Sequence, residues 1–295
     1  MNTLQITNLT KTYPNGVKAL DGINLKITNG MFGLLGANGA GKSSLMRTIA
    51  SLQEPSSGSI SFNAFDVVKQ PQEIRKRLGY LPQEFGVYPK ISAEKLLNHM
   101  AILKGILNNK ERKEQVTALL QQVNLYQHRK KAVYTFSGGM KQRFGIAQAL
   151  LANPKLIIVD EPTAGLDPEE RNRFLNLLSE IGENVIVILS THIVEDVRDL
   201  CPIMAILSNG KIITQGNPSD LVATIQGKIW TKIIPKKDLP AYKKAFDIIS
   251  TKLVSGKTQI RVLADSKPEA GFEFIIPNLE DFYFTTIFNQ SSKEA

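Results

Sequence analysis

The chain has 295 residues, 42% of them hydrophobic and 21% charged, with a formal net charge of +9. That length is compatible with two domains, the composition suits a packed core rather than a disordered chain, and no apolar run reaches the roughly 18 residues that a membrane-crossing helix needs. One cysteine, Cys201, rules out an intramolecular disulfide, and with only His99, His128 and His192 scattered along the chain it argues against a zinc site.

The first ten residues alternate apolar and polar like a strand and lack the basic-then-apolar layout of a secretion leader. Residues 4–7 and 25–28 read as strands, with turns at Pro14-Asn15-Gly16 and Asn29-Gly30. A short apolar run at 31–35 feeds a glycine-rich loop, followed by a helix over 43–51 and a strand over 58–62. From about 91 to 151 the apolar residues take helical spacing, as in Leu96, Leu97, Met100 and Leu103. Strand-type runs return at 156–159 and 185–189, alternating with helices at 168–181 and from 193 onward, a pattern that argues for a buried parallel sheet. After Gly216-Asn217-Pro218 the text turns lysine-rich with strands at 228–234, 252–254, 259–263 and 272–276, and a hairpin turn at Ser255-Gly256-Lys257.

Gly36-Ala37-Asn38-Gly39-Ala40-Gly41-Lys42-Ser43 matches the P-loop pattern in full, between an apolar strand and a helix. Glycines let backbone N–H groups curl around phosphates, and the helix N-terminus adds positive partial charge. Lys42 is expected to reach the β- and γ-phosphates of a nucleotide and Ser43 to hold Mg²⁺. The strand ending in Asp160-Glu161 supplies the acids such a site needs. Strand side chains alternate, so the two carboxylates are expected to diverge, Asp160 toward Mg²⁺ and Glu161 toward the attacking water as general base.

Phe136-Ser137-Gly138-Gly139-Met140, followed by Lys141-Gln142-Arg143 and placed between the P-loop and the paired acids, resembles the signature of ABC ATPases. The resemblance covers residues 1–216 and implies a RecA-like P-loop α/β core with an antiparallel β portion and an inserted α-helical subdomain at about 84–152, with a small C-terminal α+β appendage at 217–295. It implies ATP and Mg²⁺ as ligands. Tyr13 matches the aromatic that stacks on adenine. Gln83 matches a glutamine that senses the Mg²⁺ site and joins Ser43 and Asp160 there. Asp167 matches a residue of the loop that crosses a dimer interface, and His192 the switch histidine at the γ-phosphate. One subunit would thus hold ATP with Tyr13, Gly36, Asn38, Gly39, Ala40, Gly41, Lys42, Ser43 and Ser44. The other, identical or a related ATPase, would offer Ser137, Gly138, Gly139 and Asp167. Lys42, Gln83, Glu161 and His192 are the catalytic set.

The resemblance further implies a separate integral-membrane permease, contacted near residues 85–88, and a peripheral place on the cytoplasmic face of the cell membrane. Pro277-Asn278-Leu279-Glu280-Asp281-Phe282-Tyr283-Phe284 is similar to the ending of ATPases that serve drug-, antibiotic- and polysaccharide-type exporters. The rival reading is a soluble ABC-type ATPase acting on ribosomes or nucleic acid, which the net charge of +9 supports. Against it, the Lys and Arg residues are spread along the chain and only one ATPase unit is present, so nucleic acid is not the expected partner.

Overall fold

In the computed structural model, residues 1–83, 86, 90–182 and 184–294 are described, and the chain divides into two compact units, Met1–Ile212 and Ile213–Ala295. The permease contact expected near residues 85–88 falls, apart from Gly86, outside the described residues.

The first unit opens with β1 (Thr3–Thr12) and β2 (Lys18–Thr28), antiparallel neighbours with Leu4 opposite Ile27 and Ile6 opposite Leu25. Then come β3 (Gly30–Leu35), α1 (Lys42–Ile49), β4 (Ser57–Phe62) and β5 (Phe65–Asp66). The antiparallel sheet has the order β2-β1-β4-β5. Its alternating inward residues, including Leu4, Ile6, Ile60 and Phe62, are fully buried.

The chain continues through α2 (Pro71–Arg77), β6 (Leu78–Leu81), α3 (Ala93–Leu103), α4 (Asn109–Gln122) and α5 (Gly138–Ala149). Ser92 and Asn108 cap α3 and α4, their side chains accepting from N–H groups of the first turn. Next are β7 (Leu156–Asp160), α6 (Pro168–Ile181), β8 (Ile186–Thr191), α7 (Val194–Leu200), β9 (Ile203–Ser208) and β10 (Lys211–Gly216). The second sheet has the order β10-β9-β3-β8-β7-β6, with β9, β3, β8, β7 and β6 running parallel. β7 and β8 are buried at every position, as strands covered on both faces should be. One core joins the two sheets and α1, from Leu9, Leu20 and Phe62 through Leu45 and Met46 to Ile158 and Ile188.

The second unit holds α8 (Pro218–Ala223), β11 (Ile229–Ile234), α9 (Leu239–Ala245), β12 (Ile248–Val254), β13 (Lys257–Leu263), β14 (Glu273–Phe274) and α10 (Leu279–Glu294). Its sheet, β12-β13-β11-β14, is antiparallel around a small core of Ile234, Ile260, Val262 and Phe272. The α/β core with an antiparallel portion, and the α+β character of the second unit, agree with the sequence reading. β6, β9 and β10 were not anticipated; β6 spans only Leu78–Leu81, too short to show a period.

Candidate nucleotide site

The site forms where β3 turns into α1. Gly36 N–H donates to the Thr191 carbonyl (3.3 Å), which ties the loop to the end of β8, and Gly210 N–H donates to the Ala40 carbonyl (3.0 Å). Gly41 sits at the helix N-cap with φ 108°, a left-handed backbone that favours glycine. A methyl there would also run into the Ala19 carbonyl oxygen.

A cavity of about 710 Å³ opens over this loop. Its walls include Tyr13, Asn38, Gly39, Gly41, Lys42, Ser43, Ser44, Gln83 and Glu161 from the expected set. Val17, Lys18, Ala19, Asn209 and Gly210 join them without having been anticipated. They arrive from the β1–β2 connection with the start of β2, and from the β9–β10 turn; the long-range bond between Asp21 N–H and the Gly210 carbonyl (2.8 Å) helps to bring them together. Lys18 is paired with Asp21 at 3.2 Å, and Lys211 reaches the same carboxylate at 3.3 Å. Hydrogen bonds from these two lysines, Lys18 first, hold the Asp21 carboxyl below its ordinary range.

Lys42 folds back over its own loop. Its ammonium donates to the carbonyls of Gly36 (2.7 Å) and Ala37 (3.2 Å) and lies 3.1 Å from Glu161 Oε1. Both side chains are only 6% exposed, so the charges face each other out of water. The other Glu161 oxygen accepts from His192 Nδ1–H at 2.6 Å, which leaves Nε2 of this half-exposed ring free for a ligand.

The backbone separates Asp160 from Glu161 in a way strand alternation does not describe. β7 ends at Asp160, and Glu161 turns off it with φ 50°, held by its N–H bond to the Ser190 carbonyl (2.8 Å). Asp160 is buried, and among the described residues its Oδ1 has no hydrogen-bond partner, as is also true of the neighbouring Ser190 Oγ. Tyr80, next to Asp160, has its phenol pushed up by burial and then by that carboxylate. Tyr13 stands in the cavity wall with its hydroxyl 3.0 Å from Ser44 Oγ and donating to Gln53 Oε1 at 3.1 Å.

The remaining expected residues stand apart from this cavity. Ser137 is exposed at the N-cap of α5, its Oγ accepting from Met140 N–H at 3.2 Å. Gly139, the second residue of α5, faces the Glu170 carboxylate of α6, and a Cβ there would lie 2.5 Å from Glu170 Oε2. Asp167 caps α6 through Glu170 N–H (2.9 Å). Phe136, in place of the signature's leucine, is buried edge-on against Phe144.

The ABC transporter family profile matches residues 20–164. The linearmycin resistance ATP-binding protein LnrL of Bacillus subtilis is 36% identical over 227 residues, 76% of this chain and 72% of the relative. The chain belongs to the ABC transporter ATP-binding family. The ABC transporter ATP-binding protein NatA of B. subtilis is 38% identical over 203 residues, 68% of this chain and 82% of that protein. The dimeric ATP-binding cassette MJ0796, solved in a post-hydrolysis state with ADP and Pi, superposes with a TM-score of 0.66 at 26% identity, over 72% of this chain and 98% of its own. As an ABC ATP-binding subunit the chain binds and hydrolyses ATP, and subunits of this family work with membrane permease components. Among the described residues no helix is long and apolar enough to cross a membrane.

Proposed function

We propose that the chain hydrolyses ATP to power an exporter, from the cytoplasmic face of the membrane, against a separate integral-membrane permease. The observation that carries the hydrolytic reading is the Lys42–Glu161–His192 network beneath the cavity, with contacts of 3.1 and 2.6 Å. In this reading Lys42 exchanges its loop carbonyls for the β- and γ-phosphates, and Glu161 accepts a proton from the attacking water. His192 Nε2 faces the γ-phosphate, while Nδ1–H keeps the imidazole and Glu161 in register. Tyr13 forms the adenine wall, with Gly36, Asn38, Gly39, Ala40, Gly41, Ser43 and Ser44 around the phosphates.

A Mg²⁺ ion fits the residues present. Asp160 offers a buried, unpartnered Oδ1, and Ser43 and Gln83 add oxygens at the cavity wall. An all-oxygen set suits this hard cation, and among the described residues no cluster of three or more His, Cys, Asp or Glu competes as a metal site. The ion would neutralise phosphate charge.

The reading includes head-to-tail pairing with a second copy or a related subunit. Ser137 Oγ accepts internally, so its O–H remains to donate, and Gly138 beside it is exposed, as a contact to the other subunit's γ-phosphate would need. That a solved relative is dimeric with ADP and Pi bound supports pairing of two subunits. Export is favoured by the linearmycin resistance relative and by the residue 277–284 ending. A groove of about 540 Å³ beside Leu78, Tyr80, Met100 and Lys104, with Leu52 and Leu103 exposed at its edge, offers apolar surface for a permease segment. The appendage at 217–295 would stabilise or regulate the subunit.

The test is affinity purification of the Glu161→Gln variant from detergent-solubilised native membranes with ATP and Mg²⁺. A stoichiometric integral-membrane protein is the expected companion. Ribosomal proteins or nucleic acid with no membrane protein would overturn the transporter reading.

A further inference from the structure

Behind the Glu161–His192 contact lies a second link between the same two segments. Asp196, on α7 four residues beyond His192, is fully buried, yet it is a carboxylate. One of its oxygens, Oδ2, accepts the Thr163 hydroxyl. The other, Oδ1, accepts from Arg171 Nε at 2.7 Å and lies 2.6 Å from Arg171 Nη2. Thr163 is itself buried, two residues beyond Glu161. Arg171 belongs to α6, its N–H bonded to the Asp167 carbonyl at 2.9 Å. One carboxylate therefore joins the loop of residues 161–167, the first turn of α6 and the helix that follows His192. None of the three side chains lines the nucleotide cavity.

Stability alone does not call for this arrangement. Withdrawing a carboxylate and a guanidinium from water costs several kcal/mol per ion, and well-packed apolar groups serve stability as well or better. Geometry does call for it. Glu161 holds a left-handed backbone at φ 50°, which costs a non-glycine residue about 1–2 kcal/mol and persists only where its surroundings fix it. The Glu161 N–H bond to Ser190 fixes the start of that turn, and the Thr163 hydroxyl fixes its far side.

We propose that Asp196 is a positioning residue for ATP hydrolysis, holding through Thr163 and Arg171 the turn that aims Glu161 at His192 and the attacking water. The proposal rests on the reading of Glu161 and His192 given above. Thr163 is its most informative handle, because Thr163→Val exchanges a hydroxyl for a methyl of the same shape and leaves the Arg171–Asp196 pair intact.

The experiment compares full-length wild type, Thr163→Val, Thr163→Ser and Glu161→Gln by steady-state ATPase kinetics, nucleotide affinity and thermal midpoint. Thr163→Val is expected to lower kcat about tenfold to a hundredfold, the effect of a misplacement of order 1 Å. Its KM and ADP affinity should stay within twofold and its melting temperature close to wild type, and Thr163→Ser should restore kcat. A Thr163→Val kcat within twofold of wild type, with Glu161→Gln inactive, would overturn the positioning role and leave the base intact. Turnover by Glu161→Gln would instead remove the base on which the proposal rests. A fall in kcat that comes with an equal loss of nucleotide affinity and of melting temperature would mark the contact as merely structural and overturn the proposal.

Discussion

Glu280 and Asp281 are adjacent in the exporter-like ending, yet the structure gives them unequal weight. Glu280 meets Lys252 at 2.7 Å with both side chains partly in water, at 24% and 48% exposure. Asp281 meets Arg261 at 2.5 Å and is 1% exposed. It also closes a capping box on α10: Asn278 N–H donates to Asp281 Oδ2 and Asp281 N–H to Asn278 Oδ1, each at 3.0 Å. An exposed pair contributes about 0–1 kcal/mol. Breaking a buried one by removing a single partner costs about 3–5 kcal/mol, because the other charge is left uncompensated. Trp230, the only tryptophan, lies on β11 of the same unit, so urea unfolding followed by its fluorescence reads that unit. With a urea slope of about 1 kcal/mol/M for so small a unit, Asp281→Ala should lower the midpoint by roughly 3–5 M, or unfold the unit outright. Glu280→Ala should lower it by less than about 1 M on the same slope. Arg261→Met with Asp281→Leu should recover most of the loss, since apolar groups can replace a buried pair. Equal midpoints for the two single variants would refute the reasoning.

Gly41→Ala should weaken ATP binding at least tenfold by titration calorimetry, since the new methyl needs a left-handed backbone and meets the Ala19 carbonyl; unchanged affinity would contradict the loop geometry. Ser137→Arg should leave ATP binding to the monomer intact and abolish an ATP-dependent dimer in light scattering. Cys201 is buried, and burial, then the Asp196 charge, pushes its thiol from 9.0 up to about 12. The folded thiol therefore stays protonated at pH 9 while the unfolded one begins to ionise. Thiol reagents at that pH should label it slowly until urea is added, and stability should fall as the pH rises above about 9. Fast labelling of the folded chain would contradict its burial.

Much of the chemistry was legible because it is written in contiguous residues. The glycines before Lys42, the acids ending β7 and the Ser137 signature each need fixed local spacing. The fold class followed from apolar runs that alternate with helices, which only a covered parallel sheet makes necessary. What escaped depends on distance in sequence. Lys18, at the start of β2, and Asn209, in the β9–β10 turn, reach the cavity through contacts between segments far apart in the chain, which a local turn signal such as Pro14-Asn15-Gly16 does not report. The Thr163–Asp196–Arg171 cluster joins three elements through polar residues that read individually as loop or helix surface. Glu161's left-handed turn is invisible to a strand-alternation argument, which treats Glu161 as one more strand residue. In the C-terminal unit, the strands were readable from alternation, but the anchoring of Asp281 by Arg261 was not, since the two lie twenty residues apart.

The central claim is that Glu161, held between Lys42 and His192, acts as general base for ATP hydrolysis. The direct measurement is single-turnover ATP hydrolysis by the Glu161→Gln variant, with ATP affinity and oligomeric state followed in parallel. The account predicts retained ATP binding, a stable ATP-bound dimer and hydrolysis slowed by about a hundredfold or more, the contribution of a positioned general base. Hydrolysis within a few-fold of wild type would contradict it.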